Sequence, residues 1–310
     1  MQDKLVIENR ALVISVIGAL FMAGLGIGFA LLTKSNAVLL DGIFSLIGFA
    51  AGLIALRVSR LVQQPDDIHY QFGYGGFEAL FNLLKGITIA IISVFALTDA
   101  ISSILSGGRP INVGIALIYA IVVGVTCFIV ALYLRRAARI TQSPLVELDA
   151  KNWLIDGLLT AAVLLAFVSA FFIEKSKYAW MADYADPVIV TVLVILVIPV
   201  PFMAIRDNLK QLLLGAPDKQ MQNRLRELIV PILEDINKED FLIRMTRVGR
   251  YFYAQVFIQF SPQSAINDIA AHDSLRQQIN DAILPEFPNV TIDLMFTLDK
   301  KWIGNVAKAG

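Results

Sequence analysis

Six stretches of mostly apolar residues follow one another through the first two thirds of the chain. A helix needs about 20 such residues to cross a hydrocarbon core of about 30 Å. The pattern therefore predicts a transmembrane domain over residues 1–207, with spans at about 11–32, 37–58, 78–105, 112–134, 152–173 and 187–206. Pro199 and Pro201 lie in the sixth stretch and remove backbone hydrogen-bond donors, so we expect a kink there.

The pattern changes after about residue 208. An amphipathic helix is predicted first, from the spacing of its apolar residues, and two strands follow that meet near Gly249. A second helix and a third strand complete the order αββαβ, which predicts an α+β ferredoxin-like domain over 208–302 with a tail at 303–310. One face of such a sheet lacks helices, and a dimer partner would cover it.

Composition agrees with a membrane protein. Hydrophobic residues make up 57% of the 310 residues and charged residues 17%, whereas a soluble domain has roughly half and a quarter. The 26 basic and 26 acidic residues balance, so nothing in the net charge indicates a nucleic-acid partner. This composition predicts a protein that is embedded in a lipid bilayer.

Lysine and arginine in the short connections indicate the orientation of the spans. One side has nine of them: Lys4, Arg10, Arg57, Arg60, Arg135, Arg136, Arg139, Arg206 and Lys210. The other side has four: Lys34, Arg109, Lys175 and Lys177. The excess predicts that both termini are cytoplasmic. We also expect a multi-pass protein of the bacterial inner membrane.

Two aspartates, Asp41 and Asp156, lie within apolar spans. An ionised carboxylate in hydrocarbon costs a few kcal/mol or more, and such groups usually line an ion path. Ser45 follows Asp41 by four residues and Asn152 precedes Asp156 by four, so each pair shares a helix face. Four oxygen-bearing groups predict a small site for a hard cation. The alternative is that Ser45 and Asn152 only join helices through hydrogen bonds.

Several local motifs, in this order, resemble those of the cation diffusion facilitator family. They are SNAVLLDGIFSL, FGYGGFEAL, LDAKNWLIDG, Asp186-Pro187 and LLLGAPD. The resemblance covers nearly the whole chain. It implies six spans, cytoplasmic termini, a C-terminal αββαβ domain and a homodimer, with efflux of a divalent cation driven by inward movement of protons.

The chain departs from this family at the expected transport site, so we interpret it as a divergent member with a degenerate site. The family takes two ligands from the second span and two from the fifth. Here the second-span positions hold Phe44 and Gly48, and the fifth-span positions hold Asn152 and Asp156. We therefore expect a shifted site that uses Asp41 and Ser45 in the second span. Of the four ligand positions that the resemblance implies, only the one occupied by Asp156 still holds an acidic residue.

Two further groups are weaker candidates. Asp67 and His69, between the second and third spans, form a possible loop metal site, although a solvated acidic loop explains them as well. Glu78 and Lys85 lie two turns apart on one face of the third helix and suggest an ion pair or a gate. His272 is the only histidine in the sequence of the C-terminal domain, which excludes a multi-histidine zinc cluster there.

The predicted function is secondary active export of a divalent cation by proton antiport with alternating access. Manganese, iron, magnesium, cobalt and zinc remain open, and no resident cofactor is expected. The alternative is a regulatory or partner-binding relative that does not transport, favoured by the lost second-span ligands. We do not expect an enzyme, because the spans contain no histidine cluster and no nucleophile–base pair.

Overall fold

The computed structural model describes residues 2–62, 64–141, 144–234, 236, 238–262, 264, 268–287 and 289–303. Its long helices are α1 (Gln2–Thr33), α2 (Asn36–Val62), α3 (Gly75–Leu105), α4 (Val113–Thr141), α5 (Pro144–Glu174), α6 (Ala185–Val197) and α7 (Pro199–Leu212). The C-terminal elements are α8 (Lys219–Glu234), β1 (Lys238–Val248), β2 (Tyr251–Phe260), α9 (Ile269–Ile283) and β3 (Val290–Thr297). Short 3₁₀ helices lie at Ala179–Tyr184 and Lys300–Ile303.

Six helical segments in the described residues are long and apolar enough to cross a membrane, where α6 and α7 together count as one. The sixth segment is interrupted at Ile198, between the end of α6 and the start of α7. Pro199 occupies the first position of α7, where its missing N–H leaves no hydrogen bond unmade. The break therefore lies at the predicted prolines.

One compact unit comprises the chain up to Leu56 together with Lys85–Phe202. Helix α4 contributes a row of buried residues that includes Val123, Cys127 and Leu134. Phe167 of α5 is fully buried in the same cluster. Cys127 therefore packs in the core.

The other compact unit comprises Arg57–Leu84 and the chain from Met203 onward. Its sheet has the order β1-β2-β3, with β1 antiparallel and β3 parallel to β2. Helices α8 and α9 cover the sheet through fully buried residues such as Leu225 and Ile279. The predicted αββαβ order and the two-part fold class are confirmed. The domain boundary at residue 207 stays a prediction, since this unit also takes in the ends of α2 and α3.

Within this unit, the turn between β1 and β2 lies against the start of α3. Gly75 and Gly249 allow the approach: a Cβ on Gly75 would lie 2.7 Å from the Val248 oxygen, and one on Gly249 would lie 2.6 Å from the Gly75 oxygen. The Tyr251 hydroxyl donates to the Val62 carbonyl at 2.8 Å, and the Tyr253 hydroxyl donates to the carbonyl of Phe72. Tyr251 and Tyr253 of β2 thus connect the sheet to the chain between α2 and α3 through hydrogen bonds.

This close approach predicts opposite results at two neighbouring glycines. Gly75→Ala should lower the free energy of unfolding by about 1–3 kcal/mol, because its methyl group would overlap backbone. Gly76→Ala is the matched control, since a Cβ there meets nothing within 4 Å, and alanine should stabilise the helix by up to about 1 kcal/mol. Thermal unfolding of both variants in the same detergent checks this. Equal stability of the two variants would contradict the observed docking.

Candidate metal centre

A cavity of about 80 Å³ lies within the first compact unit, between α2, α4, α5 and α6. Its polar lining residues are Asp41, Tyr119, Asp156 and Thr160, and the remaining lining is apolar. A water molecule occupies roughly 30 Å³ of liquid volume, so the cavity has room for an ion with a small number of waters. The structure therefore brings the two intramembrane aspartates to one small, mostly apolar cavity.

Asp41 is half-buried on α2 and is held from α4. The Tyr119 hydroxyl donates a hydrogen bond of 2.5 Å to Asp41 Oδ2. Tyr119 itself is only 3% exposed. The sequence analysis missed Tyr119, because a single tyrosine in an apolar span has the same pattern as any core aromatic residue.

A crossing of two glycines explains how α1 and α2 come together beside Asp41. A Cβ on Gly42 would lie 2.7 Å from the carbonyl carbon of Gly26, so the two backbones are in direct contact. A Cβ on Gly26 would also lie 3.2 Å from the Tyr119 hydroxyl oxygen. Small residues permit close helix packing in membranes, and here they leave the space in which Tyr119 reaches Asp41.

Asp156 lines the same cavity from α5 and is exposed at the surface of the single chain. Thr160, one turn later on α5, also lines the cavity and is buried. The next residue after Asp156, Gly157, packs against Cys127, since a Cβ on it would lie 3.2 Å from the Cys127 Cβ. The fifth helix thus presents Asp156 and Thr160 to the cavity while its small residue faces α4.

The other two predicted ligands lie elsewhere. Ser45 is half-buried and Asn152 is exposed, and neither belongs to the described lining of the cavity. Phe44 does line it, at a second-span position where the resemblance implies a ligand. The structure therefore groups Asp41 with Asp156 and does not group them with Ser45 and Asn152.

In the predicted loop site, the Asp67 carboxylate is occupied by hydrogen bonds. Its Oδ1 accepts from the backbone N–H of His69 and of Tyr70, each at 2.8 Å, and its Oδ2 accepts from the Tyr74 hydroxyl at 2.7 Å. The bond from Tyr74, with those from the backbone, holds the pKa of Asp67 below its usual value. No cluster of three or more His, Cys, Asp or Glu suited to a metal occurs in the described part of the chain.

The candidate ion pair on α3 has a different partner from the one considered in the sequence analysis. Glu78 Oε2 lies 3.2 Å from Arg250 Nε, at the β1–β2 turn. Lys85 is exposed and makes no ion pair with a described residue. Glu78 therefore belongs to the contact between the β1–β2 turn and α3.

In the C-terminal domain, His272 stacks on Phe296 with ring centroids 4.2 Å apart.

A second buried carboxylate, Asp186 at the start of α6, holds the start of α2. Asp186 is 1% exposed and accepts hydrogen bonds from the Ser35 hydroxyl and from the backbone N–H of Asn36 and Ala37, the latter two at 3.0 and 3.1 Å. These amides begin a helix and have no partner within it. The Asp-Pro motif signalled this residue, although its partner on α2 was not predictable from the motif.

The sequence comparisons agree with this architecture. The cation efflux transmembrane domain matches residues 12–213, which enclose all the helices that line the cavity. Two carboxylates at one cavity within the membrane spans are typical of proteins that transport ions. More particularly, the chain belongs to the cation efflux family.

The relatives are named for different transported metals, and each matches a different fraction of this chain. Cation-efflux pump FieF of Shigella boydii serotype 18 is 30% identical over 148 residues, which are 48% of this chain and 47% of the pump. The chain thus matches about half of that relative's length. Manganese efflux system protein MneP of Bacillus subtilis is 23% identical over 92% of this chain and 93% of its own length. Zinc transporter ZitB of Pectobacterium atrosepticum is 23% identical over 90% of this chain and 82% of its own length.

Proposed function

We propose that this chain exports a divalent metal cation, which binds between Asp41 and Asp156. The observation that carries the proposal is the shared cavity of about 80 Å³, in which these two carboxylates come from different helices and the other walls are mostly apolar. Two negative charges in such surroundings are costly without a cation. A bound divalent ion would balance both charges. Family membership supports transport of a metal cation.

The donor atoms favour a hard cation. Carboxylate, phenol and hydroxyl oxygens line the cavity, and no histidine or thiolate does so among its described residues. Oxygen donors suit manganese and magnesium, and iron(II) is compatible with them, whereas sites rich in imidazole and thiolate are typical of zinc. We therefore place manganese first, ahead of iron, magnesium, cobalt and zinc. The full-length similarity to a manganese efflux protein supports this order.

We propose further that export is coupled to proton antiport through alternating access in a homodimer. Protons and a cation compete for the same carboxylates, so one site accommodates both. The excess of lysine and arginine on one side supports cytoplasmic termini. In this orientation the C-terminal domain faces the cytoplasm.

Flux through the purified protein in proteoliposomes tests the function. We expect Mn²⁺ to move when a pH gradient is imposed, with flux that depends on the gradient and exceeds that of Zn²⁺. Liposomes without protein measure the leak. If none of Mn²⁺, Fe²⁺, Mg²⁺, Co²⁺ and Zn²⁺ moves, transport is wrong and the regulatory alternative stands. The specific observation behind that alternative is Phe44, which fills a family ligand position at the cavity wall.

A further inference from the structure

We propose that Tyr119 is a positioning residue that fixes Asp41 so that it offers one carboxylate oxygen to the cation. The inference rests on the proposed function and assigns α4 a part in ion selection. The Tyr119 hydroxyl donates to Asp41 Oδ2 at 2.5 Å. Among the described residues, the Asp41 carboxylate has no other hydrogen-bond donor. Oδ2 therefore already accepts one hydrogen bond, and Oδ1 is the oxygen with both lone pairs available to an ion.

The surroundings of Tyr119 hold its hydroxyl in this place. The side chain is 3% exposed, and its ring lies 5.5 Å from the Phe29 ring on α1 at an angle of 44°. The Gly26–Gly42 crossing brings α1 and α2 close enough that a Cβ on Gly26 would lie 3.2 Å from the hydroxyl oxygen. Closely packed side chains keep one rotamer. Tyr119 is thus a rigid donor directed at one oxygen of Asp41.

A carboxylate with one oxygen engaged binds metals differently from a free carboxylate. A carboxylate can use both oxygens on one ion, and Ca²⁺, with its 6–8 ligands, often takes them in this bidentate way. Smaller octahedral ions accept one oxygen from each carboxylate and complete their shell with water. The hydroxyl of Tyr119 therefore favours small ions such as Mn²⁺ and Mg²⁺ and disfavours Ca²⁺.

The Tyr119→Phe variant tests the proposal in proteoliposomes. We expect the Mn²⁺ concentration for half-maximal flux to rise about tenfold, because a hydrogen bond to a charged group is lost, with the maximal rate changed less than about twofold. We also expect Ca²⁺ flux relative to Mn²⁺ to increase. Tyr133→Phe is the matched control, since Tyr133 lies on the same helix, is 39% exposed and is absent from the described cavity lining.

A second measurement separates positioning from a general effect on the fold. Mn²⁺ binding to the detergent-solubilised protein is measured by the EPR signal of free Mn²⁺ in wild type, Tyr119→Phe, Asp41→Asn and the double variant. If Tyr119 acts through Asp41, its substitution weakens binding in wild type and has no further effect when Asp41 is already asparagine. Additive losses overturn the proposal, and so does unchanged binding and selectivity in Tyr119→Phe. Wild-type protein that carries no cation would instead overturn the proposed function itself.

Discussion

Asp156→Asn is expected to reduce Mn²⁺ flux by on the order of 100-fold at low Mn²⁺ concentration. Asparagine keeps the size of the side chain and removes its charge, so the cavity lined by Asp41 and Asp156 would hold a divalent ion with one carboxylate in place of two. The measurement is initial Mn²⁺ uptake into proteoliposomes under an imposed pH gradient, together with equilibrium binding in detergent. Binding and flux should fall together, because the loss lies in the ion site.

The control for this variant is Asp207→Asn. Asp207 is exposed on α7 and pairs with the adjacent Arg206 at 3.0 Å, so its substitution should leave flux within about twofold, as expected for an exposed surface pair. Flux in Asp156→Asn that equals wild type would remove Asp156 from the ion path. The cavity would then have to serve another purpose.

Asp186→Ala is expected to cause the largest loss of stability. The carboxylate is 1% exposed, and its removal leaves the half-buried N–H of Asn36 and the buried N–H of Ala37 without an acceptor. Each such unsatisfied donor costs about 1–3 kcal/mol, so we expect a total of about 2–5 kcal/mol. Thermal unfolding in detergent measures the loss. Flux should fall only as far as the amount of folded protein falls, since Asp186 is outside the cavity lining.

Two related variants sharpen this experiment. Asp186→Asn keeps an acceptor oxygen for one of the amides, so its loss should be smaller than that of alanine. Asp183→Ala is the control, because the backbone oxygen of Asp183, and not its side chain, accepts from the N–H of Arg109 at 2.7 Å. If Asp183→Ala and Asp186→Ala are equally unstable, the hydrogen bonds to the start of α2 do not account for the stability.

The elements of the fold were predictable because their signals are local. Apolar runs long enough to cross a membrane predicted the six spans, and the alternation of aromatic and polar residues along Tyr251–Phe260 predicted β2. The break at Ile198 followed from Pro199, which cannot donate a hydrogen bond inside a helix. Each of these features depends on residues close together in the chain. No partner from another element is needed to recognise them.

The candidate site was predictable only in part. Asp41 and Asp156 stand out in the sequence because a charge in hydrocarbon is costly wherever the neighbouring helices lie. Ser45 was added by helical spacing, and Asn152 was added by helical spacing together with the resemblance at the fifth span. The described cavity lining includes neither of them. Spacing shows which side chains share a face of one helix. The direction of that face depends on how the helix is rotated against its neighbours.

The sequence by itself determined the spans, the αββαβ domain and the two acids of the candidate site, since hydrophobic period and the cost of buried charge are properties of short segments. Only the tertiary structure decided that Tyr119 meets Asp41 and that Asp186 holds the start of α2. It also decided that Gly75 meets Gly249. These contacts join residues 78, about 150 and 174 positions apart. They depend on the packing of whole elements, which no local pattern encodes.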